Sequence, residues 1–434
     1  MTRWFPLLLL SLASATEPPA PLAEWVRQDK LDPPEPGAVV FIGSSSIRRW
    51  ESLQRDFAGY RILRRGWGGS WLSEMDEAAP FVVFPYQPSA LVMWAGTNDL
   101  SGGKSGEEVH ADFIAFHNAL RKQLPEMPFL FLGFTRTPAN GPTTVARNTA
   151  NRLIRQTIAE DAHATFVDLP SYFAGLSAEG LDALYVDPVH LNHDGYAQWT
   201  RMIRPALEAV VRPNEAPANP SLAPKSGTRL LFDFGPDNGN EDGASPSSPD
   251  LRGHHWNHWY PVPGDARIIP GEHLSGIVDA EGQATGMRLT ITGGFRTNGR
   301  RHGGLLDPSH EALGDLAIEE ATEDFFFSTA DNRKGGGDDD LGGSFMLTGL
   351  DPDLPCELRF LGSRADPELR VTEYTVFGEK SATVTLATSA NTSELAIVSG
   401  MKPDRFGRLF IDLTAKKGSF AYLNALEIRV GEIR

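Results

Sequence analysis

The sequence predicts an α/β domain with a doubly wound parallel sheet, followed by an all-β sandwich domain of jelly-roll type. Three observations support this prediction. The chain has 434 residues, which is more than one hydrophobic core usually serves, so two domains are expected. Between residues 38 and 211, apolar runs of strand length alternate with amphipathic helical patterns, as in a parallel sheet covered by helices. Beyond a proline-rich stretch, short β-type runs separated by Gly, Pro, Asn and Asp take over.

The composition is globular, and the charge excludes some classes of partner. Hydrophobic residues make up 41% of the chain and charged residues 22%, with a formal net charge of −16. So acidic a chain argues against a nucleic-acid partner and against a cationic membrane anchor. Beyond the N-terminus no apolar run is long enough to span a bilayer, so we expect no membrane span.

The first 15 residues have the pattern of a signal peptide. Arg3 supplies a positive charge, the apolar stretch Trp4–Ala13 follows, and Ala13-Ser14-Ala15 is a cleavage signal of the A-x-A type. We therefore predict cleavage near Ala15 and export to the periplasm or the medium; a buried N-terminal helix fits these flanks less well. The single cysteine, Cys356, allows no intrachain disulfide.

Residues 16–212 are predicted to form the α/β domain. Its candidate strands are Ala38–Ile42, Tyr60–Leu63, Ala90–Trp94, Phe129–Phe134 and Thr165–Val167. One helix is expected to begin at Ser105, with Glu108 completing a capping box, and another to carry Ala150 to Ile158. A last helix should run from about His193 to Val211, bent or split by Pro205.

Residues 213–227 are predicted to be a linker and residues 228–434 the β-sandwich. Four prolines lie between Pro213 and Ser226. In the run that follows Ser381, alternation places Ala382, Val384 and Leu386 on one face of a strand. The candidate strands are Arg229–Phe234, Met287–Thr292, Ser344–Leu347, Glu357–Leu361, Val371–Phe377, Ala382–Ala387, Leu395–Val398, Arg408–Leu413 and Ala425–Val430.

The segment Gly43-Ser44-Ser45-Ser46 follows the first predicted strand and opens a helix. The carboxyl end of such a strand faces a crevice of the sheet, where a serine can act on a ligand. Three other polar segments, Arg65–Ser70, Trp94–Asp99 and Asp187–His190, also follow predicted strands or precede the last helix. Because carboxyl ends of parallel strands meet at one edge, we expect these segments to converge. The alternative is that the serines only cap a helix.

These residue types suit nucleophilic catalysis. A serine needs an adjacent base, which His190 can supply, and the imidazolium then needs an anion such as Asp187, three residues earlier. The oxyanion of an acyl intermediate needs hydrogen-bond donors. The backbone N–H groups of Ser45 and Gly69 and the side-chain amide of Asn98 are candidates.

The four segments resemble the blocks of the SGNH, or GDSL-type, serine hydrolase family over roughly residues 37 to 211. Gly43-Ser44-Ser45 takes the place of the Gly-Asp-Ser block, with Ser44 where that family has Asp. Asn98 matches its Gly-x-Asn-Asp asparagine, and Gly69 its oxyanion glycine. The resemblance implies a flavodoxin-like sheet, Ser45 as nucleophile with Asp187 and His190, and no metal or cofactor. Ser44 and Ser46 remain alternatives for the nucleophile.

Other features of the sequence suggest that the protein binds carbohydrate. Trp67 and Trp71 flank Gly69 and could stack on a sugar ring, although core packing explains them equally well. The second domain loosely resembles galactose-binding-like or malectin-like sandwiches. Its segment from His254 to Tyr260 is rich in aromatic and polar side chains, and an irregular, partly buried loop is expected there. Asp338–Asp340 could hold calcium, but a solvated loop explains it better.

We therefore expect an exported serine esterase that removes small acyl groups, in particular O-acetyl groups, from carbohydrate. Two alternatives keep parts of this reading. A non-catalytic carbohydrate-binding protein would have a degenerate hydrolase domain, and only Ser44 favours it. A lipase or acyl-thioesterase would keep the same chemistry with a longer acyl pocket. The sequence does not predict an oligomeric state.

Overall fold

The structure is a computed structural model that describes residues 17–139, 141, 143–214, 219–238, 242–259, 267–329 and 342–431. The predicted signal peptide, Tyr260, the possible calcium loop Asp338–Asp340 and part of the predicted linker lie outside the described residues. Within them, no helix combines the length and the apolar character needed to cross a membrane.

The first domain alternates strands and helices. Its strands are β1 Val39–Gly43, β2 Ile62–Gly66, β3 Ala90–Trp94, β4 Phe129–Leu132 and β5 Ala164–Val167. Its helices are α1 Ala23–Leu31, α2 Ser45–Arg48, α3 Leu53–Asp56, α4 Ser73–Val82, α5 Thr97–Ser101, α6 Gly106–Gln123, α7 Thr144–Ala159, α8 Leu169–Ala174, α9 Ala178–Asp182 and α10 His193–Glu208, with 3₁₀ turns at Ala20–Leu22 and Phe84–Tyr86.

All neighbouring strands of this sheet run parallel, in the order β2-β1-β3-β4-β5. Strand β1 lies between β2 and β3 and is buried on both faces: Val40 and Ile42 pack into one hydrophobic cluster, and Val39 and Phe41 into another. Helices therefore cover both faces, as a doubly wound sheet requires. The predicted α/β fold class is confirmed.

Two helix predictions have different outcomes. The capping box is present, because Ser105 Oγ accepts from Glu108 N at 3.2 Å and Glu108 accepts from Ser105 N at 2.7 Å. The last helix is not split, because α10 runs through Pro205 to Glu208. Pro205 lies in the final turn, where the helix is already ending, and its carbonyl still accepts from Ala209 N.

The second domain is built of strands. They are β6 Arg229–Phe234, β7 Asn257–Trp259, β8 Arg267–Ile268, β9 His273–Leu274, β10 Arg288–Gly293, β11 Phe295–Asn298, β12 Phe325–Thr329, β13 Gly343–Thr348, β14 Cys356–Leu361, β15 Val371–Phe377, β16 Ser381–Ala387, β17 Ala396–Met401, β18 Leu409–Lys417, β19 Phe420–Leu423 and β20 Ala425–Val430. Its shorter elements are α11 His310–Leu313 and 3₁₀ turns at Arg300–His302, Gly314–Leu316 and Glu319–Ala321.

These strands form three sheets, in the orders β16-β15-β18-β13-β10-β9, β17-β14-β20-β6-β7 and β19-β12-β11-β8. All pairs are antiparallel except β6 with β7. The two larger sheets share one core, in which Phe360 stacks on Tyr374 with ring centres 4.6 Å apart. The predicted β-sandwich is thus confirmed. The expected loop at 254–260 is partly wrong, since β7 occupies its centre and the rings of Trp256 and Trp259 are buried.

The two domains pack against each other. The buried guanidinium of Arg64 on β2 donates to the carbonyls of Trp50, in its own domain, and of Thr292, in the β domain. Trp25 Nε1 on α1 donates to Pro270 O at 3.1 Å. Asp412 of the β domain accepts from both Nη atoms of Arg55 at 3.2 Å. Side chains of the first domain therefore find hydrogen-bond partners in the second.

Candidate active site

The turn from β1 into α2 places Ser45 at the carboxyl edge of the sheet. Gly43, the last residue of β1, has φ +148°, and a Cβ on it would lie 2.0 Å from the carbonyl oxygen of Trp94. Only glycine permits so close an approach to the neighbouring strand. Ser45 then becomes the first residue of α2, beside the segment that follows β3.

Ser45, His190 and Asp187 form a continuous chain of hydrogen bonds. Ser45 Oγ lies 2.9 Å from His190 Nε2, and His190 Nδ1 lies 2.8 Å from Asp187 Oδ2. Ser45 and His190 are nearly buried, each less than a tenth exposed. The hydroxyl of Ser45 is therefore within hydrogen-bond distance of the imidazole. This distinguishes Ser45 from Ser44 and Ser46, the other two candidates for the nucleophile.

The loop that carries Asp187 and His190 is held by its own backbone. Tyr185 and Leu191 form an antiparallel bridge, and Val186 N donates to His190 O at 2.9 Å. Asp187 Oδ1 accepts from His190 N at 2.8 Å, as well as from the N–H one residue before. These bonds fix the carboxylate so that its other oxygen faces the ring.

Arg49 is a site residue that the sequence did not indicate. Its Nη1 lies 3.0 Å from Asp187 Oδ2, so the residue that ends α2 is paired with the loop before α10. Burial alone would raise the pKa of Asp187. The hydrogen bonds from His190 and Val189 N, together with the Arg49 cation, outweigh burial and hold that pKa well below its ordinary value. Asp187 is therefore an anion over the whole range in which a histidine works.

Gly69, in the turn after β2, and Asn98, in α5, are the other predicted donors, and their segments are tied together. Asn98 Nδ2 donates to Ser70 O at 2.9 Å. The buried carboxylate of Asp99 accepts from Leu72 N at 2.8 Å, and Lys104 pairs with its other oxygen. Gly69 has φ +76°, and a Cβ on it would meet nothing within 4 Å. Gly69 therefore has a left-handed backbone conformation that favours glycine, and the space where a side chain would lie is open.

The two tryptophans beside Gly69 differ in environment. Trp67 is buried in the core of the first domain. Trp71 is about a third exposed, and Lys104 Nζ lies 4.7 Å from the centre of its ring. Of the pair, only Trp71 has a ring face near solvent, so sugar stacking stays a prediction for Trp71, and core packing accounts for Trp67.

Arg48 is a second residue that sequence reasoning missed. A Cβ on Gly68 would lie 2.4 Å from Arg48 Nη1, so this guanidinium packs directly on the loop that presents Gly69. The pair Arg48-Arg49 carries no recognisable motif, and only the fold shows that the two side chains reach different parts of the site. Among the described residues, no group of three or more His, Cys, Asp or Glu side chains has an arrangement that could hold a metal ion.

Residues 41–198 match the model of the GDSL-like Lipase/Acylhydrolase family. Several solved structures are similar to part of this chain. A protein described provisionally as an acylhydrolase, from Bacteroides fragilis, is 20% identical, covers 44% of this chain and 97% of its own, and gives a TM-score of 0.36. An acetylxylan esterase from Geobacillus stearothermophilus is 15% identical, covers 41% and 94%, and gives 0.33. A carbohydrate esterase of family 3 from Talaromyces cellulolyticus is 16% identical, covers 40% and 97%, and gives 0.33. No curated protein sequence matches the chain.

The first domain is thus a GDSL-type hydrolase domain, and at the level of that family an ester hydrolase. The match covers the four segments that contain Ser45, Gly69, Asn98 and Asp187–His190. It ends before the β-sandwich.

Proposed function

We propose that this chain is an exported serine esterase that hydrolyses small acyl esters, in particular O-acetyl groups on carbohydrate. The observation that carries the proposal is the hydrogen-bonded chain from Ser45 Oγ through His190 to Asp187, at 2.9 and 2.8 Å. Two donors that could bind an oxyanion are Gly69 N and Asn98 Nδ2. The hydrogen bond from Asn98 to Ser70 O joins α5 to the turn of Gly69.

The proposed reaction has two halves. His190 Nε2 takes the proton of Ser45 as Oγ attacks the acyl carbon, and the carbonyl oxygen becomes an oxyanion held by the N–H groups. The C–O bond to the alcohol then breaks, and His190 returns the proton to the leaving oxygen. Water, activated by the same imidazole, attacks the acyl-enzyme and releases the acid and free Ser45. Asp187 stays ionised throughout and stabilises the imidazolium.

Preference for a short acyl group on carbohydrate is the finer part of the proposal. The attached β-sandwich loosely resembles domains that accompany carbohydrate-active enzymes. Export, inferred from the first 15 residues, would bring the enzyme to extracellular polysaccharide.

Turnover of p-nitrophenyl acetate by the full chain, with and without Ser45→Ala, tests the chemistry. We expect the substitution to lower kcat by at least about 10³-fold, since a serine triad without its nucleophile keeps little activity. Ser44→Ala is the matched control, because Ser44 is buried beside Ser45 and should leave most of the rate intact. Equal rates in wild type and Ser45→Ala would reject the assignment.

Two further measurements separate the alternatives. Acetate release from a panel of acetylated polysaccharides tests the carbohydrate preference. Chain-length profiling of p-nitrophenyl esters tests the acyl group: a maximum at long chains would favour a lipase or thioesterase. Glycan binding by a wild-type protein with no ester turnover at all would favour the non-catalytic alternative.

A further inference from the structure

A cavity of about 470 Å³ lies between the two domains, beside the candidate triad. The first domain lines it with Arg49, Glu51 and Leu191, and the β domain with Phe377 and Asp412. Its volume falls within the range of small-molecule sites, about 300–1,000 Å³. The cavity exists only because the two domains are packed together.

The loop that carries Asp187 and His190 forms part of the cavity wall. Val186 and Leu191 line it, and they directly flank the segment from Asp187 to His190. Arg49 lines it as well and donates to Asp187 Oδ2 at 3.0 Å. A ligand in the cavity would therefore lie against the residues that hold the base.

Two carboxyl groups, those of Glu51 and Asp412, offer hydrogen-bond acceptors in the cavity, beside donors such as Arg49 and Arg55. Among the described residues, the carboxyl group of Glu51 has neither a hydrogen bond nor an ion pair, and only part of the side chain is covered from solvent. Burial raises the pKa of Glu51, and the nearby Asp412 raises it further. Asp412 itself uses one oxygen, Oδ2, for Arg55. The two carboxyl groups lie close enough to interact, and oxygens of both can accept from a ligand.

The charges and the apolar surfaces narrow the chemistry of the ligand. The guanidinium groups of Arg49 and Arg55 also line this cavity, and they already pair with Asp187 and Asp412. Burial favours the neutral form of Glu51, so no ionic ligand is required. Val186, Leu191 and the ring of Phe377 supply apolar wall. Acceptors for hydroxyl groups next to apolar surface for C–H faces are what an uncharged sugar needs.

We propose that this cavity binds the carbohydrate part of the ester substrate, through hydroxyl groups that donate to Glu51 and Asp412. The inference rests on the proposed esterase function and assigns the β domain a part in the substrate site, because Phe377 and Asp412 belong to that domain. The hydroxyl groups bound in the cavity are not the oxygen that carries the acyl group. Binding them orients the ester relative to Ser45.

The test compares an ester without sugar and an ester with sugar in one variant. We expect Glu51→Ala to raise KM by about threefold to tenfold on the acetylated polysaccharide that the wild type deacetylates fastest, because the hydrogen bond from the sugar to the Glu51 carboxyl group is lost. Its kcat/KM on p-nitrophenyl acetate should stay within about twofold. Glu160→Ala changes an exposed glutamate that directly follows α7 and does not line the cavity; it is the matched control and should change neither.

Each other outcome overturns the inference. An equal loss on both substrates would mean that Glu51 only supports the fold, and no loss on either would mean that the cavity binds no sugar. If the wild type hydrolyses p-nitrophenyl acetate but releases acetate from no polysaccharide, the esterase chemistry stands and this inference fails. Should Glu51→Ala not fold, Glu51→Gln carries the test, with a rise in KM of about threefold, because the amide keeps one acceptor oxygen.

Discussion

Arg49 Nη1 and His190 Nδ1 approach the same atom, Asp187 Oδ2, at 3.0 and 2.8 Å. The arginine follows directly on the helix of Ser45, so it joins the nucleophile's helix to the loop of the base across 138 positions of the chain. It also places a permanent cation beside the carboxylate that must stabilise an imidazolium. Arg49 therefore holds Asp187 in place and partly neutralises its field.

Arg49→Met should separate these two effects. Without the cation, Asp187 stabilises the imidazolium more strongly, so the acidic limb of the pH profile of kcat/KM should move upward, by about 0.5–2 pH units. The maximum of kcat should fall, because the carboxylate loses one of its anchors. The measurement is the hydrolysis of p-nitrophenyl acetate between about pH 5 and 9. Arg49→Lys keeps the charge and should leave the limb near its wild-type position; an unshifted limb in Arg49→Met would contradict the argument.

Asn98→Ala should lower kcat by about 10²–10³-fold, which is the usual loss for one oxyanion donor. The substitution also removes the hydrogen bond to Ser70 O and so loosens the loop of Gly69. Steady-state kinetics and a thermal melt of the same sample give both quantities. Asn151→Ala is a useful comparison: that amide pairs with the backbone of Phe134 instead, and its loss should reduce stability more than rate. A kcat near wild type in Asn98→Ala would exclude it from the oxyanion site.

Asp324→Asn should stabilise the protein at neutral pH. The carboxyl group of Asp324 is fully buried, and neither oxygen has a hydrogen-bond partner in the described part of the chain. Burial raises its pKa well above the ordinary value, and the neighbouring Asp233, Glu323 and Asp237 raise it further. Below about pH 3.9, the ordinary value, the group is protonated in folded and unfolded chains alike. As pH rises, the unfolded chain releases the proton more readily, so this group progressively lowers the free energy of unfolding.

Urea denaturation of wild type and Asp324→Asn at pH values from about 4 to 8 measures this effect. The variant should be more stable by roughly 1–3 kcal/mol at the alkaline end, and the difference should shrink toward pH 4. Glu379→Gln, on an exposed turn, removes a carboxylate of similar chemistry without burial and should show no such trend. If the difference in stability between the two proteins were constant with pH, the raised pKa of Asp324 would be excluded.

The candidate site could be predicted where residue type and position in the chain suffice. Ser45, Gly69 and Asn98 each follow a buried strand, and parallel strands end at one edge, so their convergence follows from the fold class. Asp187 and His190 lie within one short loop. Arg49 could not be found in this way, because its role depends on a contact with a loop 138 residues away and its neighbour Arg48 looks the same in the sequence.

The fold could be predicted where patterns are long or regular. Arg229–Phe234, Val371–Phe377 and Ala425–Val430 have the predicted bounds. Burial alternates along Val371–Phe377, and the other two strands are buried almost throughout. Phe325–Thr329 was missed because Phe326 packs into one cluster and Phe325 and Phe327 into another, which removes any alternation. The two-residue strands β8 and β9 are too short to have a period, and pairing partners alone define them.

The bridge that Arg64 makes between the carbonyls of Trp50 and Thr292 bears on how this protein could be recombined. If the β-sandwich were exchanged for another by joining at the proline-rich segment, the guanidinium of Arg64 would lose its acceptor in the second domain. Burial lowers the pKa of Arg64 only to about 10, so the group would still be charged there. In a folded chimera, the new domain would need backbone carbonyls at the places of Thr292 and Pro270. We therefore expect the two domains to be inherited together.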